Sequence, residues 1–206
     1  MLIQLYPSSI DMRKMKQVVD CLRNGGLVIY PTDTVYGLGC DIYNKGAVEK
    51  ICRIKGIKTE KMNFSFICYD LSHISDYTLN LDTSTFKLMK RCLPGPFTFI
   101  LKANNNIPKL FKNNKKTIGI RVPDNEIARM IVKELGNPII TTSVHNEDDV
   151  MDYITDPNAI FERYENLVDI VIDGGTGGYR PSTIIDCTGE EPVLIREGAG
   201  KLEKTD

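Results

Sequence analysis

Long apolar runs, clustered metal ligands and a surplus of either charge are all missing from this sequence, and each absence removes a class of function. No apolar run approaches the roughly 20 residues a membrane helix needs, so no membrane span is expected. Lysine and arginine number 26 against 27 acidic residues, a net charge of −1, so any affinity for nucleic acid has to come from a local basic surface. The six cysteines (Cys21, Cys40, Cys52, Cys68, Cys92 and Cys187) contain no CxxC pair, and the only two histidines are His73 and His145. A zinc site needs clustered ligands of these types, so no protein metal site is expected. Most of the cysteines sit inside apolar runs and read as reduced core residues of a cytoplasmic protein. The first residues carry no basic stretch ahead of their apolar ones, so no secretory signal is expected. Internal repeats, low-complexity tracts and linkers are also absent, and no strong nucleophile stands beside a base. Gly174-Gly175-Thr176-Gly177-Gly178 lacks the Lys-Ser/Thr of a phosphate-binding loop and reads as a flexible turn or lid.

What is present is an ordinary globular composition, 42% hydrophobic and 26% charged over 206 residues, enough for one good core. Met12, Met15, Val18, Val19 and Leu22 recur at helical spacing, and Gly25-Gly26 stops that helix. A second helix carries Ala47, Val48, Ile51, Cys52 and Ile54 after a cap near Asn44. A third holds Phe86, Leu88 and Met89 and halts before Pro94-Gly95-Pro96. Asp124 or Asn125 caps a fourth, and Asp156-Pro157 opens a fifth. Between them lie apolar strand patterns at 27–30, 64–68, 97–101, 117–122, 139–143, 168–172, 183–186 and 193–196. This alternation predicts a single α/β domain over residues 1–200 with a large, twisted, mixed or mostly antiparallel sheet and flanking helices. The last ten residues read as a frayed tail, and 201–206 fall outside the domain.

The densest polar segment follows the strand ending at Tyr30. Pro31 stops that strand, and Thr32-Asp33-Thr34-Val35-Tyr36-Gly37-Leu38-Gly39 then gathers hydroxyls, a carboxylate, a phenol and two glycines. Ligands bind at strand ends of this kind in open α/β sheets; threonine hydroxyls suit an amine or carboxylate, and glycines admit a ligand close to the backbone. Further candidate segments are Lys55-Gly56-Ile57-Lys58, Pro94-Gly95-Pro96-Phe97-Thr98, Arg121-Val122-Pro123, Thr141-Thr142-Ser143, Ser182-Thr183-Ile184-Ile185-Asp186 and Arg196-Glu197-Gly198-Ala199. Arg121 sits in an alternating strand, where a charge on the apolar side needs a partner. A carboxylate ligand is favoured over a structural ion pair.

Taken in order, these segments resemble the YrdC-like family of threonylcarbamoyl-adenylate synthases, over roughly residues 10 to 200. The resemblance implies an α/β fold around a deep, positively charged cavity. It implies substrates L-threonine, bicarbonate or CO2, and ATP, with Mg2+ arriving on the phosphates and keeping several waters. It further implies a product, threonylcarbamoyl-AMP, that a partner protein transfers to adenosine 37 of tRNA (the t6A modification). By motif position Lys55 and Arg196 are the catalytic cations on the triphosphate. Thr34, Arg121 and Ser182 bind threonine, and Thr117, Thr141 and Ser143 join Lys55 and Arg196 around ATP. Positioning and charge stabilisation then carry the chemistry.

Two departures stand out. The family's Lys-x-Arg reads here as Lys55 followed by Ile57, and its Ser-x-Asn-x-Ser-Gly as Ser143-Val144-His145-Asn146-Glu147-Asp148. Loss of one charged hydrogen bond costs about 1.5–3 kcal/mol. Both departures, with Met62-Asn63-Phe64-Ser65-Phe66, are similar to the YciO branch of the family. A rival reading is a module for double-stranded RNA or tRNA, to which the basic run Lys109-Leu110-Phe111-Lys112-Asn113-Asn114-Lys115-Lys116 would add phosphate contacts. A third keeps the pocket but changes the amino acid or acyl group. His145 and His73 read as loop and surface residues.

Overall fold

Each helix starts where a short polar side chain can take up an orphan backbone N–H. The structure, a computed structural model, describes residues 1–58, 64–107, 116–144 and 153–202. Helix α1 (Met12–Arg23) is capped by the Asp11 carboxylate, which accepts from the N–H groups of Arg13 and Lys14. Asn44 caps α2 (Lys45–Ile54) through the Ala47 N–H at 3.0 Å, and Asp82 caps α3 (Thr83–Cys92). Asn125 caps α4 (Glu126–Leu135), and Asp156 precedes α5 (Pro157–Tyr164), with proline in its first turn. Gly136 closes α4 with φ of 86°, a left-handed conformation that suits a residue without Cβ.

Among the described residues ten strands form one sheet: β1 (Leu2–Gln4), β2 (Val28–Tyr30), β3 (Gly37–Asp41), β4 (Ser65–Ile67), β5 (Phe97–Lys102), β6 (Thr117–Arg121), β7 (Ile139–Ser143), β8 (Ile170–Asp173), β9 (Thr183–Asp186) and β10 (Val193–Arg196). Their order across the sheet is β1-β8-β2-β3-β7-β4-β6-β5-β9-β10. The pairs β1/β8, β2/β8, β4/β6 and β5/β9 are parallel and the others antiparallel, so the sheet is mixed as the sequence predicts.

Alternation along the strands divides the core. One face packs Leu38, Phe66, Phe99, Ile120 and Ile185 against α2, α3 and α5. The other packs Val28, Tyr30, Ile67, Ile139, Ile170 and Ile172 against α1 and α4. Among the described residues this second cluster takes none from β5, β6, β9 or β10, so those residues cover the sheet's second face over only part of its width.

The expected helices and the later strands are present. Two strands were not legible: β1, whose three residues pair with β8, and β3. Gly37-Leu38-Gly39 is therefore not loop beyond a strand end. It is a strand that pairs antiparallel with β2 (Tyr30 opposite Gly37, Val28 opposite Gly39), which makes residues 31–36 a hairpin loop. Strand glycines are unfavourable by propensity, and that concealed it. The tail also begins later than expected. Thr183 Oγ1 donates to the Gly200 carbonyl at 2.6 Å and accepts from the Gly198 N–H at 2.9 Å, and Ala199 donates its N–H to Pro181, fixing 198–200 to β9. All six cysteines are free thiols, but only Cys40, Cys52 and Cys68 are fully buried, so the expectation of core residues holds for three and the other three are half-buried. Burial pushes Cys21 and Cys187 up to about 11 and Cys68 up to about 12.

Candidate active site

The hairpin loop at 31–36 is organised around one guanidinium. Thr32 Oγ1 donates to the Val35 carbonyl at 2.7 Å and accepts from the Thr34 N–H at 3.0 Å, which folds the loop on itself. Arg121, the last residue of β6, sends Nη2 to Thr34 Oγ1 at 2.6 Å, to Thr32 Oγ1 at 3.2 Å and to the Asp33 carboxylate. The Arg121 and Asp33 side chains are each only 9% exposed. Asp33 Oδ2 and Arg121 Nε are nonetheless buried with no hydrogen-bond partner among the described residues. Unmet polar atoms in such a place are rare in structural ion pairs and common where a ligand completes the set. The sequence favoured a carboxylate ligand for Arg121 over an ion pair. The structure gives it an ion pair on one nitrogen and leaves another nitrogen unmatched.

Above this hub lies a cavity of about 170 Å³ lined by Tyr36, Arg121, Thr141, Ser143, Ser182 and Arg196, among others. Ser182 Oγ shares a hydrogen bond of 2.8 Å with Thr98 Oγ1, joining β5 to β9 beneath it. Arg196 Nη2 donates to the Ser182 carbonyl at 2.9 Å, which draws the edge strand's cation over the cavity. Burial holds Arg196 below the usual arginine range, and the like charge of Arg121 pushes the same way. Two guanidinium groups that repel each other across a small hollow favour an anion between them. Lys55, which ends α2, donates Nζ to the Ser143 carbonyl at 3.2 Å and so stands at the cavity's rim.

A second hollow of about 660 Å³ adjoins the first, and Ser65, Thr98 and Ile184 line both. Thr117 lies here, beside Ile100, Lys102, Asp186 and Ile195. A register row of small residues (Gly39, Thr141, Ser65, Gly119) runs across β3, β7, β4 and β6, and its last three members line the hollows.

The motif glycines serve packing. A Cβ on Gly37 would meet Tyr30 Cζ at 3.0 Å and Thr141 Oγ1 at 2.9 Å, and one on Gly39 would meet the Ile140 carbonyl and the Tyr30 ring. The space in front of them thus holds the Tyr30 ring, where the sequence suggested a ligand. The glycine-rich stretch at 174–178 is likewise no free lid. Tyr36 Oη donates to the Gly175 carbonyl at 2.7 Å and accepts from the Gly174 N–H, while Gly178 donates its N–H to the Thr34 carbonyl at 2.7 Å. A Cβ at Gly177 or Gly178 would collide with Tyr36 or with the Thr34 backbone.

Arg121, Thr141, Ser143, Ser182 and Arg196 thus line one cavity, with Thr34 bonded beneath, Lys55 at the rim and Thr117 in the adjoining hollow. Sequence reading assigned no role to Asp33, Tyr30, Ser65 or Thr98. Asp33 and Thr98 do fall inside motifs already singled out, and a carboxylate among buried hydroxyls was the available signal. Ile57 has a structural explanation. Its N–H bonds the Cys52 carbonyl and Gly56 bonds Arg53, a Schellman ending in which the apolar residue after the glycine packs back onto the core. His145 and Glu147 to Asp149, residues 59–63 and most of the basic run at 109–116 lie outside the described residues.

Among the described residues, the chain is thus a mixed α/β sheet whose second face is covered over part of its width, with hydroxyls and guanidinium groups lining two hollows. The chain belongs to the Sua5/YciO/YrdC family: that family's model, described as telomere recombination, matches residues 20–198. It is 41% identical over 200 residues to the uncharacterized protein YciO of Escherichia coli (strain K12), covering 97% of this chain and 96% of that one. The crystal structure of E. coli YciO superposes with a TM-score of 0.91, covering 98% and 97% of the two chains at 40% identity. Threonylcarbamoyl-AMP synthase of Coxiella burnetii (strain RSA 493) is 31% identical over 180 residues, covering 86% of this chain and 95% of that one. P. abyssi Sua5, solved in complex with L-threonine, matches with a TM-score of 0.87 at 28% identity, over 96% of this chain and 57% of that chain.

Proposed function

We propose that this chain condenses L-threonine, bicarbonate or CO2, and ATP into threonylcarbamoyl-AMP, or runs a close variant of that chemistry with another small amino acid or acyl group. The observation that carries the reading is the convergence of Arg121, Arg196, Ser182, Thr141 and Ser143 on one cavity. The synthase relative and the threonine-bound neighbour lend support. Arg121, steadied by Asp33 and Thr34, takes the amino acid's carboxylate, and Ser182 takes a polar group beside it. The amine, once neutral, attacks the carbon of CO2 and loses a proton to give a carbamate; from bicarbonate the same bond forms with loss of water. A carbamate oxygen then bonds to the α-phosphorus of ATP. The bond from that phosphorus to the bridging oxygen breaks, and pyrophosphate leaves with the electron pair. Arg196 and Lys55 offset charge on the phosphates, and Thr117, Thr141 and Ser143 orient the nucleotide.

Among the described residues no three His, Cys, Asp or Glu side chains converge as a metal-ligand set. In this reading Mg2+ enters as MgATP, a substrate carrying its ion on its own phosphates. Among those residues no helix is long and apolar enough to cross a membrane. A cytoplasmic setting, with a partner protein that moves the threonylcarbamoyl group to tRNA, completes the proposal.

The test is pyrophosphate release from MgATP, expected only when threonine and bicarbonate are both present. Arg196→Ala should weaken ATP binding by about tenfold to a hundredfold, the worth of a charged hydrogen bond. No threonine-dependent pyrophosphate at high enzyme concentration would end the reading.

A further inference from the structure

We infer that Tyr30 is a positioning residue for this site: lying over β3 on the face that carries the Thr141 side chain, its hydroxyl fixes Thr141 as a hydrogen-bond donor into the cavity. The inference rests on the reading of that cavity as the seat of an anionic nucleotide. Tyr30 is 0% exposed, and its Oη donates to Thr141 Oγ1 at 2.6 Å. Thr141 lines the cavity and is itself 8% exposed. A threonine hydroxyl has one proton and two acceptor sites. With an acceptor site filled by the phenol, the Thr141 proton has the cavity in front of it. A hydroxyl set in this way meets a phosphate oxygen without first having to reorient, and each bond in such a relay polarises the next.

The surroundings are built to hold the phenol there. β3 carries glycine at positions 37 and 39, and in each case a Cβ would press on the Tyr30 ring. Both glycines lie within a strand, where glycine is intrinsically unfavourable, and they let the ring lie flat over β3 and reach β7. Phenylalanine would fill the same volume without burying a hydroxyl, so packing alone does not require tyrosine. Burial raises the phenol well above the ordinary tyrosine range, which keeps it a donor at neutral pH, and Arg121 lies near enough to pull the other way.

Three variants read by titration with MgATP test this. Y30F keeps the ring and should raise the ATP dissociation constant about tenfold, T141V by at least as much, and Y30F/T141V by no more than T141V alone. A structural role would instead make the Y30F and T141V effects multiply, because ring packing acts on the fold whether or not Thr141 has a hydroxyl. Multiplying effects, or a Y30F protein that binds ATP like the parent, overturn the inference alone. A parent protein that binds no ATP overturns the reading of the cavity and the inference with it.

Discussion

The two halves of the sheet are made from similar residues and end in different states. In β2 (Val28-Ile29-Tyr30) and β8 (Ile170-Val171-Ile172) every apolar side chain is buried, since helices press on both faces. In β10 Val193, Leu194 and Ile195 are equally apolar yet 56%, 50% and 56% exposed. Residue type alone does not separate these strands; what covers them does. The covered half supplies rigidity. The other half (β6, β5, β9 and β10), bare on one face among the described residues, supplies the two hollows in which Thr98, Thr117, Ser182 and Arg196 are set. Arg121 and Asp33 stand at the seam, and the sharpest test of the division is there.

Asp33→Ala should cost about 3–5 kcal/mol of folding stability by denaturant titration, because it strands the buried Arg121 charge. Asp33→Ala with Arg121→Leu should recover most of that loss, since an apolar pair replaces an ionic one at little cost, while the proposed threonine site loses its guanidinium. A silent Asp33→Ala would mean that the seam is open to water and that the two halves do not differ as described.

A matched pair of truncations measures the halves directly. Ile172→Ala in the covered half should lose about 2–5 kcal/mol, the transfer term plus a cavity. Ile195→Ala, the same deletion in the bare half, should lose less than about 0.5 kcal/mol, because half of that side chain is already in water. Comparable losses would show that something covers β10.

The sequence made this fold legible because its local rules agree: caps at Asn44, Asn125 and Asp156, helical spacing in α1 and α4, and strand runs between them. Of the polar residues that the family motifs mark, Arg121, Thr141, Ser143, Ser182 and Arg196 line the smaller hollow and Thr117 the larger. Two physical relations were hidden. Strand β3 has its glycines where they accommodate Tyr30, a contact across the hairpin that no periodicity within β3 reports. The Gly174–Gly178 stretch looked free because glycine marks both flexible turns and close packing, and only the contacts with Thr34 and Tyr36 distinguish them.

Ile57→Arg sharpens the comparison at the rim of the bare half. The substitution restores the family's second cation but removes the apolar residue that closes the end of α2. Thermal unfolding should show a loss of about 1 kcal/mol or less. ATP affinity should rise up to about tenfold if the guanidinium reaches the phosphates. Unchanged affinity would place the nucleotide away from the end of α2.

The smallest effect is a pH dependence at Tyr36, which clamps residues 174–175 to the hairpin loop. Burial pushes its phenol from the ordinary 10.0 up to about 12. Above pH 10 the unfolded chain gives up this proton while the folded chain keeps it, so the unfolded state binds fewer protons and stability falls as pH rises. The contribution is complete below pH 10 and is lost as pH climbs toward 12. Tyr36→Phe removes both the titration and two hydrogen bonds. Near pH 8 the parent should be the more stable by about 1 kcal/mol. That advantage should shrink from pH 10 upward and be gone before pH 12, with the other tyrosines and cysteines cancelling in the difference. An advantage that holds constant over this interval would mean that water reaches the Tyr36 hydroxyl, and that the clamp belongs with the bare half of the sheet and not with the covered one.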